Sequence, residues 1–190
     1  RRRHRAAARG HRLTRLVALL RGVNLGPNRR MAMADLRELL ATLGYDDAVT
    51  HLQSGNIVVA TRKQPAALKR ELEQQIAAEL GLETEVFVRT RDELADVVER
   101  DPLGAVAGNP SRYLVSFLSG HPTRAFVQEL AGLDVAPEQV AVDGKEIYSW
   151  HPNGIHASKL ARLLGKQPGG VSATARNWNT VTKLLELADR

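Results

Sequence analysis

Leu16-Val17-Ala18-Leu19-Leu20, followed by Arg21-Gly22-Val23-Asn24-Leu25-Gly26, is the stretch on which the reading of this chain turns. Five consecutive apolar residues ahead of a glycine predict a short strand buried on both faces. The glycine-bearing residues 21–30 predict a loop. Leu36, Leu39, Leu40 and Leu43 then recur at helical spacing, and Gly44 supplies a stop. Residues 49–52 and 57–61 predict strands on either side of the turn Gln53-Ser54-Gly55-Asn56. A helix is expected over residues 65–80, with Pro65 in its first turn and Gly81 past its end. Val86-Phe87-Val88 predicts a strand, and Thr90 with Glu93 forms a capping box opening a helix that stops near Asp101-Pro102. The resulting order, βαββαβ, is ferredoxin-like.

The second half begins in the same way. Residues 113–118 predict a strand, residues 125–130 a helix, and residues 140–142 and 147–150 a hairpin about Asp143-Gly144-Lys145. Leu16-Val17, Leu20 and Gly22 align with Leu114-Val115, Leu118 and Gly120, which reads as a degenerate duplication. No fourth strand is legible in the second copy. Two helical patterns follow instead, one over residues 158–164 and one marked by Trp178, Val181, Leu184 and Leu185. The expected fold is therefore α/β (α+β): two ferredoxin-like βαββα(β) repeats with antiparallel sheets, the second modified by two C-terminal helices. They occupy residues 15–102 and 110–190.

Charge and composition bound the function. The 190 residues carry a formal charge of +6, but residues 1–14 hold Arg1, Arg2, Arg3, Arg5, Arg9 and Arg12 and no acid. The whole surplus thus lies in that segment, expected to be a disordered basic tail, and the remaining body is balanced. There is no cysteine, which removes disulfides, thiolate nucleophiles and cysteine zinc sites and fits a cytoplasmic location. No apolar run approaches the ~18 residues of a membrane span.

Three groups of residues resemble a known family. Arg21-Gly22-Val23-Asn24-Leu25-Gly26 with Met33 and Leu36-Arg37 is similar to its first signature, and Gln53-Ser54-Gly55-Asn56 to its second. Asn153-Gly154-Ile155, Ser158-Lys159-Leu160, Thr174 and the run from Arg176 to Val181 are similar to its third. The family is the mostly bacterial domain of unknown function 1697. The resemblance covers residues 15–188 and implies a cytosolic, single-chain α/β protein; it implies no activity. Pro27 stands where a second glycine is common and Ala32 where proline is common, so the first loop departs from the family pattern.

Two candidate sites emerge. In a βαββαβ unit the loop after the first strand and the turn between strands two and three share a sheet edge. That edge gathers Arg21, Gly22, Asn24, Gly26, Arg29, Arg30, Ser54, Gly55 and Asn56 ahead of a helix N-terminus, a composition suited to phosphate or carboxylate. The second candidate is the acid-free interval of residues 147–185, a basic patch of Lys159, Arg162, Arg176, Asn179 and Lys183 suited to a polyanion backbone. Arg176 and Asn179 are expected to share the start of a helix face. Tyr113 with Phe117, and Tyr148 with Trp150, fall on common strand faces and serve either a core or base stacking. His151 and His156 have no acid or cysteine beside them in sequence, so neither a metal nor another cofactor is expected. The expected function is a non-enzymatic binding module for an anionic partner, nucleic acid foremost. The alternative is a small-molecule enzyme or carrier for a phosphorylated or carboxylated ligand at the first-loop edge.

Overall fold

The computed structural model describes residues 13–26, 30–165 and 168–190. Residues 1–12 of the expected tail lie outside the described residues, as does Arg29. The first half runs β1 (Thr14–Leu20), α1 (Met33–Thr42), β2 (Val49–His51), β3 (Asn56–Thr61), α2 (Pro65–Leu80), β4 (Val86–Thr90) and α3 (Arg91–Arg100). The second runs β5 (Tyr113–Leu118), α4 (Arg124–Ala131), β6 (Gln139–Asp143), β7 (Glu146–Trp150), α5 (Lys159–Leu164), β8 (Ala173–Asn177) and α6 (Trp178–Ala188). The sheets are ordered β2-β3-β1-β4 and β6-β7-β5-β8, and every neighbouring pair is antiparallel. Each is the ferredoxin-like arrangement, so the fold is two copies of βαββαβ, each with a trailing helix.

The local signals act as the sequence predicts. Pro65 opens α2 and Gly81 closes it in the left-handed region at φ 63°. Thr90 and Glu93 make both bonds of the capping box. One expectation is overturned: the second copy does have a fourth strand, β8. Its residues, Ala173-Thr174-Ala175-Arg176-Asn177, include no large apolar side chain, so hydrophobic alternation is silent there. The two C-terminal helical patterns accordingly separate: α5 is the second helix of the repeat, and α6 is the counterpart of α3.

Strand alternation sends side chains to two layers. Leu16, Ala18, Leu20, Ile57, Val59 and Val86 face outward and pack under α1 and α2. Val17, Leu19, Val58 and Phe87 face inward. They share one core with Tyr113, Val115, Phe117 and Tyr148 of the other sheet, together with α3 and α6. Leu118 and Ile147 face outward beneath α4 and α5.

The copies match residue for residue. Leu16 pairs with Val59 as Leu114 pairs with Ser149, and Leu20 pairs with Val86 as Leu118 pairs with Ala173. The Leu20 N–H donates to the Gly55 carbonyl at 2.8 Å, and the Leu118 N–H to the Lys145 carbonyl at 2.9 Å. Glu85 and Ser172, which hold equivalent positions before β4 and β8, meet each other at 2.6 Å and so mark a pseudo-two-fold axis.

Candidate functional site

The axis also relates two buried arginines. Arg89 is 8% exposed and Arg176 7%. From the penultimate position of β4, Arg89 reaches across to the second half. Its Nε donates to Glu146 at 2.9 Å and its Nη2 to the Leu118 carbonyl at 3.0 Å. From the penultimate position of β8, Arg176 returns the same contacts to the first half. Its Nε donates to Asn56 Oδ1, and its Nη2 to the carbonyls of Leu20 at 2.8 Å and Ser54 at 2.9 Å. Nη1 donates to Thr174 Oγ1 and the Ala175 carbonyl, both at 2.8 Å.

One exchange breaks the symmetry. Where the second half offers the Glu146 carboxylate, the first offers the neutral Asn56 amide. Arg89 is therefore neutralised in place, whereas every hydrogen bond of Arg176 goes to an uncharged acceptor. Burial lowers the Arg176 pKa to about 10, so the guanidinium stays charged at neutral pH. A fixed positive charge thus lies under the Ser54-Gly55-Asn56 turn, at the foot of the first loop.

The loop and turn meet as the topology requires. Asn24, at φ 55°, is the clasp. Its Oδ1 accepts from the Met31 N–H at 2.8 Å, and its Nδ2 donates to the carbonyls of Met31 at 3.0 Å and Gln53 at 2.6 Å. Asn56 is wholly buried, its Nδ2 donating to the His51 carbonyl at 2.8 Å and to Ser54 Oγ at 3.0 Å. Gly55 sits at φ 72° so close to the loop root that an added Cβ would lie 2.7 Å from Val23 and 2.8 Å from Leu20. Asn24 and Asn56 therefore shape the edge from within rather than present free amides to a ligand.

The surface they shape is an open cleft of about 520 Å³ lined by Asn24, Gly26, Arg30, Met31, Ala32 and Gln53. Arg30 is exposed on its rim. The N-cap of α1 is Ala32, whose side chain has no acceptor to offer the N–H groups of the first turn. A neighbouring cleft of about 750 Å³ includes Arg21 and Gly22 but is lined by Glu73, Glu83 and Glu85. There Arg21 faces Glu85 at 3.7 Å and Lys69 lies 3.4 Å from both Glu73 and Glu85. Acid dominates that neighbour; the cleft at Arg30 is the electropositive one.

The C-terminal candidates are not brought together. Arg176 lies in a strand and is buried, so it shares no helix face with Asn179. Asn177 caps α6, accepting from the Thr180 N–H at 2.9 Å. Asn179 donates to Ser111 at 3.1 Å, and Lys183 pairs with Glu186 at 2.8 Å. Lys159 and Arg162 stand on α5, in another layer. Tyr113, Phe117 and Tyr148 are core residues between the sheets, and Trp150 packs against them.

One constellation escapes a reading along the chain. His151 is wholly buried, with Nδ1 2.7 Å from Glu138 Oε1 and Nε2 2.9 Å from Ser149 Oγ. The signal was the hairpin: with Asp143 opposite Glu146, continuing the register places Glu138 opposite His151.

Comparison with known proteins agrees with this architecture. The chain is similar to a conserved bacterial protein, SP0830 from Streptococcus pneumoniae, with a TM-score of 0.75 and 22% identity over 93% of this chain and 99% of that one. At that identity the likeness shows the fold. No curated protein matches. The family model of the proteins of unknown function DUF1697 matches residues 13–148, and this chain belongs to that family.

Proposed function

We propose that this protein binds an anionic ligand, whose phosphate or carboxylate is taken at the cleft between Arg30 and the α1 N-terminus. The observation that carries the reading is the Asn56-for-Glu146 exchange, which leaves the buried Arg176 without a carboxylate partner among the described residues. An anion in the cleft would meet the Arg30 guanidinium and first-turn N–H groups that the N-cap side chain does not satisfy, and would sit in the field of Arg176. Asp35 lies in the same first turn and opposes it. A small anion is favoured over a nucleic-acid strand, because the aromatic residues of the sheets are in the core and the C-terminal cations are dispersed.

Calorimetric titration with inorganic phosphate, alongside a single-stranded oligonucleotide, tests this. Arg30→Gln is expected to weaken phosphate binding about 10-fold, the scale of one charge-assisted hydrogen bond. Asn56→Asp touches nothing in the cleft but supplies the missing counter-charge. It is expected to weaken binding about 4–17-fold, the size of a unit charge acting over ~10 Å at an effective dielectric of ~20–40. Unchanged affinity in both variants refutes the site. Tight, salt-sensitive binding of the oligonucleotide without competition from phosphate would favour a nucleic-acid partner instead.

A further inference from the structure

The equivalence of the two halves exposes a second, unrelated feature. Beneath α2 the outward face of the first sheet is filled by Ala18, Val59, Val86 and Val88. The register makes their counterparts Ser116, Ser149, Ala173 and Ala175. The helix above them is shorter as well: α5 has 6 residues where α2 has 16. Smaller side chains at three of these four positions, under a shorter roof, leave a cavity of about 180 Å³, lined among others by Leu114, Ser116, Ser149, His151, Ala161 and Leu164. Its mouth lies by Ile155, Gly165 and Ala175, which are exposed.

The polar floor of this cavity is organised. The Glu138 carboxyl is pushed up by burial, but hydrogen bonds from Ser158, His151 and the Leu160 amide outweigh that and hold its pKa below the ordinary carboxyl value. In its neutral form the imidazole beside this carboxylate carries its proton on Nδ1, and Ser158 Oγ lies 3.2 Å from the same nitrogen. Nε2 is then the acceptor, and the Ser149 hydroxyl donates to it at 2.9 Å. This is the proton arrangement of a nucleophile, base and orienting acid. Ser149 lies in β7 and His151 directly follows its last residue, Trp150, so the two, two residues apart, project to the same side. A third hydroxyl completes the floor. Ser116 is 3% exposed, lines the cavity, and makes no hydrogen bond among the described residues. It sits diagonally across from Ser149 on the same sheet face, with Cα atoms ~7 Å apart in such pairs. A hydroxyl that lines the cavity without a hydrogen bond among the described residues, beside an organised serine, is what a ligand oxygen would satisfy.

We propose that this cavity is an acyl-transfer site for short-chain carboxylic esters, with Ser149 as nucleophile and His151 as general base. Ser149 Oγ forms a bond to the ester carbonyl carbon while its proton passes to His151 Nε2. The carbonyl oxygen takes the developing charge and accepts from the Ser116 hydroxyl. Collapse breaks the bond to the alcohol oxygen, which leaves with the proton held by His151. Water then adds to the acyl-serine through the same base, releasing the carboxylic acid and restoring Ser149. Glu138 is a positioning residue that sets the imidazole tautomer. The apolar walls and the volume of about 180 Å³ restrict the acyl group to a few carbons, with the alcohol portion directed to the open mouth. The site is separate from the anion cleft and rests on none of its residues.

The test uses the full chain with a fluorophosphonate probe and with 4-nitrophenyl acetate, butyrate and octanoate. The expected result is a single phosphonyl adduct located on Ser149 by peptide mass spectrometry, and hydrolysis of acetate and butyrate at least 10-fold faster than of octanoate. Ser149→Ala is expected to abolish both the adduct and the hydrolysis while the protein still unfolds in a cooperative transition. Ser116→Ala is expected to slow hydrolysis at least 10-fold while leaving the Ser149–His151 pair intact. Glu138→Gln is expected to lower the hydrolysis rate and change its pH profile, which a purely structural role would not do. No adduct on Ser149, equal turnover by wild type and Ser149→Ala, or octanoate hydrolysed as fast as acetate would each overturn the proposal.

Discussion

Arg89→Ala is expected to destabilise the protein by about 3–5 kcal/mol, the cost of removing one partner from a buried ion pair. The pair is well shielded, with Arg89 8% and Glu146 5% exposed. Truncating the arginine leaves the Glu146 carboxylate without its counter-charge and the Leu118 carbonyl without its donor. Arg176→Ala is expected to cost less, about 1–3 kcal/mol. It strands only neutral acceptors and relieves the desolvation of an uncompensated charge. The two positions are related by the pseudo-two-fold, so unequal losses isolate the effect of exchanging Asn56 for Glu146. A paired Arg89→Met, Glu146→Leu variant is expected to recover most of the stability lost in Arg89→Ala, since an apolar pair leaves no buried charge behind. Urea unfolding of the four proteins measures this. Equal losses at Arg89 and Arg176 would contradict the electrostatic asymmetry on which the anion site rests.

Residues 13–108 expressed alone are expected not to fold as a stable monomer. Separation from the second half uncovers Val17, Leu19, Val58 and Phe87 on one sheet face and Leu94 and Val97 on α3. At ~1.5–3 kcal/mol for each large apolar side chain, that forfeits stabilisation on the order of the whole ~5–15 kcal/mol of a native domain. The fragment also strands Arg89 without Glu146. Sedimentation and urea unfolding are expected to show either self-association through the bared face or the absence of a cooperative transition. A monomeric fragment with a cooperative transition would show that the shared core is dispensable.

The parts of this fold legible in the sequence are those encoded by neighbours in the chain. Pro65 and Gly81 bound α2, Thr90 and Glu93 open α3, and the run of residues 16–20 is a strand buried on both sides because each face meets its own layer. β8 is silent because its inward positions, Thr174 and Arg176, are polar and its outward ones are alanines. The candidate edge follows from strand order alone, hence the meeting of Asn24 with Gln53. The condition of its residues does not. Arg176 bonds Asn56 across 120 positions, and a charge count along the chain registers the guanidinium as basic surface. The Glu138–His151 contact lies between these cases. It follows from a two-residue hairpin turn at Gly144-Lys145, but not from counting acids after Glu146.

The most direct measurement is the amide chemical-shift map of the full chain titrated with inorganic phosphate at constant ionic strength. Saturable shifts are expected at residues 24–26, 30–35 and 53–56, with the amides of α5 and α6 unmoved. Saturable shifts centred on Lys159 and Arg162, shifts confined to residues 1–12, or no saturable shifts at all would contradict it.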